Sequence, residues 1–378
     1  MQNVKFNNIM VVYMQRGDLH MYYSKIEDFE SEVYENEGFI VFVPENEEDN
    51  VEHIIEYLNN KNIKFMGGIF PFVLNNGDKY DRGIVIKKIS LFGNIKLIDM
   101  QSEQKKGYLE NIEKLKNKTL IIIVDGLSLY INNFINNIYT ELTTNVKYIG
   151  GGAGSLSLTR KPYVFNNEGI FIDHAVIAVM NNNIALEVEL GWEKLIGPLI
   201  ANKVYKNTIL ELNWQNPLSI YKKVVESDSN KAMTSSNFFD ISKQYPFGIE
   251  NINGYMVIRD PIDANEKGEL ICVSEVPKNS VLYVLKGDKE NMVSSVKRLY
   301  EKADKIYKKH TNILCFDCIS RTLFLEDKFD TMLGKIKEYD NISFDGALTI
   351  GEISSCGGKG YIEFLNKSLV VGFIMDNE

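Results

Sequence analysis

The chain's sequence predicts an α+β fold, with mixed β-sheets covered by helices and arranged as two domains. Three observations lead there. Short apolar runs of β type alternate with polar segments whose apolar residues fall at helical spacing. In the C-terminal part such runs outnumber the helices. And 378 residues exceed one ordinary core, a prior of roughly 150 residues per domain giving two or three. A 44% hydrophobic fraction with 11% aromatics is ample for compact folding.

From the N-terminus, Ile9 to Met14 and Phe39 to Val43 read as strands, with a polar helical stretch from Lys25 to Asn36 between them. Val51, Ile54, Ile55 and Leu58 follow i, i+3, i+4, i+7 and share one helix face. Strand-like Leu120 to Val124 leads to Leu127, Ile131, Phe134, Ile135, Ile138 and Leu142 at helical spacing. Val146 to Ile149, the run Gly150 to Gly154 and apolar Ala175 to Met180 come next. Ile184 to Leu190 alternates as a half-buried strand does, and Val204 to Leu212 adds one or two more. Pro217 suits the first turn of a helix carrying Ile220, Tyr221, Val224 and Val225. Polar Ser227 to Lys243 reads as the crossing between domains 1–240 and 241–378.

Beyond that boundary, Tyr255 to Ile258, Leu270 to Val273 and Val281 to Leu285 are β runs separated by turn residues, which predicts antiparallel pairing. Asp288 is placed to cap a helix bearing Met292, Val296, Leu299, Ala303 and Ile306. Ile313 to Phe316, a helical stretch with Phe329, Met332, Leu333 and Ile336, Ala347 to Ile350, Gly351, and Leu369 to Ile374 complete the chain.

One order recurs: strand, helix, strand, glycine, strand. It runs from Phe39 through Gly67-Gly68 to Ile86, from Leu120 through Gly150 to Met180, and from Ile313 through Gly351 to Ile374. Either a duplication or a common arrangement met by chance explains it. If it is a duplication, the two principal copies face one another and the pocket between them is the ligand site.

Charge and composition exclude other classes. The formal charge of −9 is dispersed, without the Lys/Arg block that nucleic acid or an anionic membrane requires. No apolar run approaches the roughly 20 residues of a membrane span. Met1 to Asn8 has no secretory leader, and Cys272, Cys315, Cys318 and Cys356 are too few to staple the chain, so the cytosol is the expected location. Abundant Asn, Lys and Ile fit an A/T-rich bacterial genome.

Residues that could carry chemistry sit at strand ends. Arg259 precedes a turn and could present a planar fork to a carboxylate or phosphate, or pair with Asp260. Cys318 and Arg321 follow a strand, the cysteine either lining a pocket or filling core. Glu352, after Gly351, could bind a ligand ammonium or pair with Arg321, and Asn366 could contact ligand or simply form its turn. Gly150, Gly151 and Gly152 match neither a P-loop nor a dinucleotide fingerprint, and let the chain pass close to another backbone or a small ligand. Cys315 and Cys318 point to opposite faces of a strand, which argues against a shared metal. Nucleophilic chemistry at Cys318 or Cys356, with Glu352 or His174 as base, lacks a thiolate-activating arrangement. A purely structural scaffold is the other rival.

Tyr245-Pro246-Phe247-Gly248, Val257 to Pro261, Cys318-Ile319-Ser320-Arg321, Gly351-Glu352-Ile353 and Leu365 to Leu369 resemble, in that order, the C-terminal half of FIST proteins, named for F-box and intracellular signal transduction. Phe39 to Asp240, chiefly through Gly150 to Gly154, resembles the N-terminal domain of that family. The family commonly has a histidine where Leu365 stands. The resemblance implies a cytosolic sensory protein that binds a small metabolite such as an amino acid or related carboxylate. The implied ligand site comprises Arg259, Cys318, Arg321, Glu352, Asn366 and Gly150 to Gly152. Some relatives sense nitric oxide through haem, for which His174 is the one candidate axial ligand here, and no cofactor is expected. With no output module after Ile374, the signal is expected to pass to a separate protein partner rather than to nucleic acid or membrane.

Overall fold

Three six-stranded sheets with one shared connectivity form the body of the protein, described by a computed structural model over residues 21–31, 34–102, 107–250, 256–306, 312–338, 343–355 and 361–375. Unit I comprises β1 (Tyr22–Tyr23), β2 (Glu37–Pro44), the helix Val51–Asn60, β3 (Phe65–Phe70), the hairpin β4 (Phe72–Asn75) and β5 (Asp78–Tyr80), and β6 (Ile84–Ser90). Unit II repeats the order with β7 (Lys96–Asp99), β8 (Thr119–Asp125), the helix Ile131–Leu142, β9 (Lys147–Ala153), the hairpin β10 (Val164–Asn166) and β11 (Gly169–Phe171), and β12 (His174–Met180).

Unit III opens with β13 (Ile184–Glu189) and is then interrupted by a lobe. The lobe holds β14 (Trp192–Ala201), β15 (Lys203–Tyr205), β16 (Thr208–Glu211), the helices Pro217–Ser229 and Phe238–Ser242, β17 (Phe247–Glu250), β18 (Met256–Arg259), β19 (Pro261–Ala264), β20 (Leu270–Cys272) and β21 (Ser280–Gly287). After the helix Lys289–Ile306, unit III resumes with β22 (Asn312–Cys318), the helices Ile319–Leu325 and Lys328–Gly334, and β23 (Ser343–Thr349). The hairpin β24 (Glu352–Ser355) and β25 (Ile362–Leu365), then β26 (Leu369–Ile374), complete it.

In each unit the first long strand runs parallel to the strand after its helix and antiparallel to the last one: β2 with β3 and β6, β8 with β9 and β12, β22 with β23 and β26. The hairpins leave home. β10 of unit II extends the sheet of unit I at β3, β24 of unit III extends unit II at β9, and β4 of unit I extends unit III at β23. The exchange closes a ring, so the α+β class and the repeated unit read from the sequence are both present, the unit three times.

Apolar periodicity explains the layers. Val51, Ile54, Ile55 and Leu58 are buried on one helix face, as are Ile131, Phe134, Ile135, Ile138 and Leu142 on another. Phe42 meets Phe70 and Phe316 at ring-centroid separations of 5.7 and 5.9 Å, and this cluster continues through Ile123, Ile149 and Ala347, so one core joins all three units. A buried ion pair also ties unit I to unit III. Lys87 Nζ lies 2.7 Å from Asp345 Oδ2, while Asn75 donates to Oδ1 at 2.7 Å and Ser343 adds its hydroxyl.

Several local expectations differ from the structure. Within Lys25 to Asn36 the described residues show only a 3-10 turn, Ile26–Asp28, and Ile9 to Met14 lies outside the described residues. Leu127 sits in the turn before its helix. The glycine run does not follow β9 but lies within it as far as Gly152. In unit III the position matching Gly67 and Gly150 is Gly346, which opposes Cys315 as they oppose Val41 and Ile122; Gly351 lies beyond the strand. The lobe's antiparallel strands divide between two four-stranded sheets, β14-β21-β17-β18 and β15-β16-β20-β19.

Candidate functional site

A cleft of about 350 Å³ opens where unit II, unit III and the lobe converge. Its floor lies at the carboxyl end of β8, where parallel strands conventionally present their loops to ligands. Asp125 ends the strand and shapes the turn: Oδ1 accepts from the Leu127 amide at 3.1 Å and Oδ2 from the Asp173 amide at 2.9 Å. Burial pushes this carboxyl up, against those hydrogen bonds. The turn then feeds the helix Ile131–Leu142, whose first-turn amides have no intrahelical acceptors and favour negative charge.

The glycines seat this floor. Gly126 N donates to Ala153 O, while Gly152 N donates to Gly351 O and its carbonyl accepts from Ile350 N. A Cβ on Gly152 would lie 2.3 Å from the Ile350 carbonyl oxygen, so only glycine permits this approach.

Unit III contributes Ile350, Phe364 and Asn366, and the lobe contributes Lys206, Asn207, Val273, Ser274 and Glu275. Hydrogen bonds hold the lobe across the cleft. Asn366 Nδ2 donates to Ser274 Oγ at 3.1 Å and Asn132 Nδ2 to Glu275 at 3.4 Å, while within the lobe Arg259 Nε braces the Glu275 carbonyl at 2.6 Å. Lys206 lies over the Tyr205 ring at 5.9 Å. Among the described residues neither Lys206 nor Glu275 enters a salt bridge, and both line the cleft on adjacent lobe segments joined by the Val276 amide donating to Lys206 O.

The residues singled out in the sequence take distinct places. Asn366 lines the cleft. Arg259 lies behind its wall, buried, with Nη1 donating to the Ile258 carbonyl at 2.8 Å; burial pulls its pKa down while Glu363 opposes the shift. Its partner is backbone rather than Asp260, whose carboxylate stands 3.3 Å from Lys367.

Cys318 sits at the N-cap position of the helix Ile319–Leu325, its amide donating to Ser368 O at 3.0 Å and its thiol pKa raised by burial. Glu352 is fully buried, accepting from Thr349 Oγ1 at 2.7 Å, Ser368 Oγ at 2.7 Å and Ser368 N at 3.2 Å. Burial pushes its pKa up to about 8. Gly151 opposes it across β9 and β24, while Gly150 opposes Ile353. Arg321 joins Asp317 instead, at 2.7 Å, and donates to Leu190 O at 2.7 Å; Asp317 is pushed up to about 6, burial outweighing the guanidinium.

The structure therefore brings Cys318, Glu352 and Gly151 into one buried polar knot, sets Arg321 beside Asp317, and places Asn366 in the cleft. Lys367 links these places. Its Nζ donates to Lys243 O at 2.9 Å and pairs with Asp260 in the lobe, while its neighbours in sequence are cleft-lining Asn366 and Ser368, the partner of Glu352.

Lys206, Ser274, Glu275 and Asn132 were not legible as site residues, since their convergence depends on the docking of the lobe. His174 Nδ1 lies 2.6 Å from Ile172 O, and Cys356, His20 and His310 lie outside the described residues. Among the described residues no group of three or more His, Cys, Asp or Glu is placed to hold a metal ion, and no helix is long and apolar enough to cross a membrane.

A family model described as the FIST N domain matches residues 39–215, and one described as the FIST C domain matches residues 217–355. No curated protein matches the chain. Both matched segments line the cleft, the first through Gly126 to Asn207 and the second through Val273 to Ile350.

Proposed function

The chain belongs to the FIST family, whose domains serve sensory roles in signal transduction, and from that premise we propose that it binds an amino acid in the cleft between units II, III and the lobe. The observation that carries this reading is the pair Lys206 and Glu275, one charge of each sign, neither in a salt bridge among the described residues, lining a single cleft of about 350 Å³. A zwitterion satisfies both. Its carboxylate meets Lys206 and the first-turn amides of the helix Ile131–Leu142, and its ammonium meets Glu275, with Ser274 and Asn366 supplying neutral contacts.

Signal output follows from the parts a ligand would touch. Occupancy favours whichever lobe position makes the better contacts. Asn366 adjoins Lys367, whose bonds to Lys243 O and Asp260 fasten the lobe, so contact at Asn366 bears directly on that fastening. A separate protein then reads the lobe.

A thermal-shift screen of amino acids and organic acids on the full chain tests the reading. At least one amino acid raises the Tm of the wild type, and both Lys206→Ala and Glu275→Gln weaken its binding by about tenfold or more, the scale of a charge-assisted hydrogen bond. Equal stabilisation of wild type and both variants removes this cleft from the function.

A further inference from the structure

We propose that the ligand of this cleft is an amino acid with a large apolar side chain, of the leucine, methionine or phenylalanine kind, an inference that rests on the amino-acid reading above. Three of the lining residues are hydrophobic and conspicuously exposed: Leu129 at 85%, Leu158 at 60% and Val273 at 51%. They come from three separate segments, the turn after β8, the loop after β9 and the lobe strand end after β20. Convergence of three such segments on one mouth is a property of the assembled site rather than of one untidy loop, and exposed apolar side chains gathered about one groove, unlike ones scattered singly, mark a binding site.

Deeper in, Phe364 packs beneath Gly351, where a Cβ would lie 2.3 Å from its ring, and Leu127 and Ile350 flank Gly154. The cleft thus has an apolar wall reaching from floor to mouth.

Charge arithmetic gives the same class. The described lining holds two charged side chains, Lys206 and Glu275. The α-carboxylate and α-ammonium engage both, so a charged ligand side chain would find only neutral groups such as Ser128, Asn132 and Asn207 and no counter-charge of its own. An aliphatic or aromatic side chain removes the apolar wall from water instead. At about 350 Å³ the cleft also has room beyond the backbone part of an amino acid.

Calorimetric titration of the full chain with L-leucine, L-alanine, L-aspartate and 4-methylpentanoate tests the proposal. L-leucine binds about tenfold or more tightly than L-alanine, a difference of the size that a few methylenes produce in an apolar pocket. Replacing Leu129 and Leu158 together by serine lowers leucine affinity by about tenfold while leaving alanine affinity nearly unchanged. Both side chains are exposed, so the fold tolerates the change. 4-Methylpentanoate, which keeps the apolar group and lacks the ammonium, binds more weakly than leucine in the wild type and equally to leucine in Glu275→Gln. Alanine or aspartate binding as tightly as leucine overturns the apolar class and leaves the amino-acid reading standing; no binding by any of the three amino acids overturns both.

Discussion

Glu352 is a carboxyl enclosed by hydroxyl and amide donors with no cation in contact among the described residues, and its folded pKa of about 8 lies well above its ordinary 4.5. Between those values the folded protein retains a proton that the unfolded chain has released, so stability falls as pH rises through the window and levels off above it. Asp317, raised from 3.8 to about 6, adds to the lower half. Urea midpoints measured from pH 5 to pH 9 should therefore decline for the wild type, and Glu352→Gln should flatten the part between about 6 and 8. An unchanged slope in the variant would assign the dependence to another group. The Lys87–Asp345 pair calls for a different test. Asp345→Ala leaves a fully buried ammonium without its counter-ion, and a loss of about 3 to 5 kcal/mol in a denaturant melt is expected. At this scale sequence spoke unevenly. Arg259 and Asn366 announce themselves by standing at turns, but the target of Arg259 Nε, the carbonyl of Glu275, is a tertiary fact. Lys206 and Glu275 are ordinary surface residues in the sequence, and only the lobe's docking makes them face one cleft.

Helices with a full apolar face were legible, because Val51 to Leu58 and Ile131 to Leu142 repeat their buried positions over more than two turns. The helix Ile319–Leu325 was not. It continues an apolar strand without a break and has no side-chain cap to mark its start. Lys25 to Asn36 has a helical pattern without a helix: Ile26 and Phe29 are buried one turn apart, and the described residues extend helical geometry no further than Asp28. A glycine run after an apolar stretch suggests a strand end, yet Gly150 pairs within β9, where a Cβ would fall 1.8 Å from the Ile122 carbonyl oxygen. Gly150→Ala should consequently abolish soluble, folded protein, judged by yield and far-UV circular dichroism. Gly334, at the end of the helix Lys328–Gly334, has open space where its Cβ would go, and Gly334→Ala should leave stability unchanged or raise it by up to about 1 kcal/mol. Equal tolerance of the two substitutions would contradict the packing described for β9.

The whole molecule joins what the family matches separate. They divide the chain between residues 215 and 217, whereas β13 pairs with β26, β4 with β23, and β24 with β9 across that division. Fragment 1–216 expressed by itself should lack cooperative unfolding, and mixing it with fragment 217–378 should restore a single transition; two independent transitions from the isolated fragments would show that they fold separately. The order of strand, helix, strand and glycine revealed a repeat in the sequence, since apolar runs and their spacing are local. Which sheet receives each hairpin was hidden, because an alternating strand fits many edges equally well and only the assembled ring selects one.

That selection has a stoichiometry. A single unit would keep a sheet short of two strands and a hairpin with no sheet to join, and two units would leave one donor and one acceptor unmatched. With three, every hairpin is received, as in a head-to-tail ring whose rotation closes. The polypeptide thus has the plan of a cyclic trimer whose subunits have been fused end to end. The lobe, inserted into the third, is the feature that makes one of the three junctions different from the others.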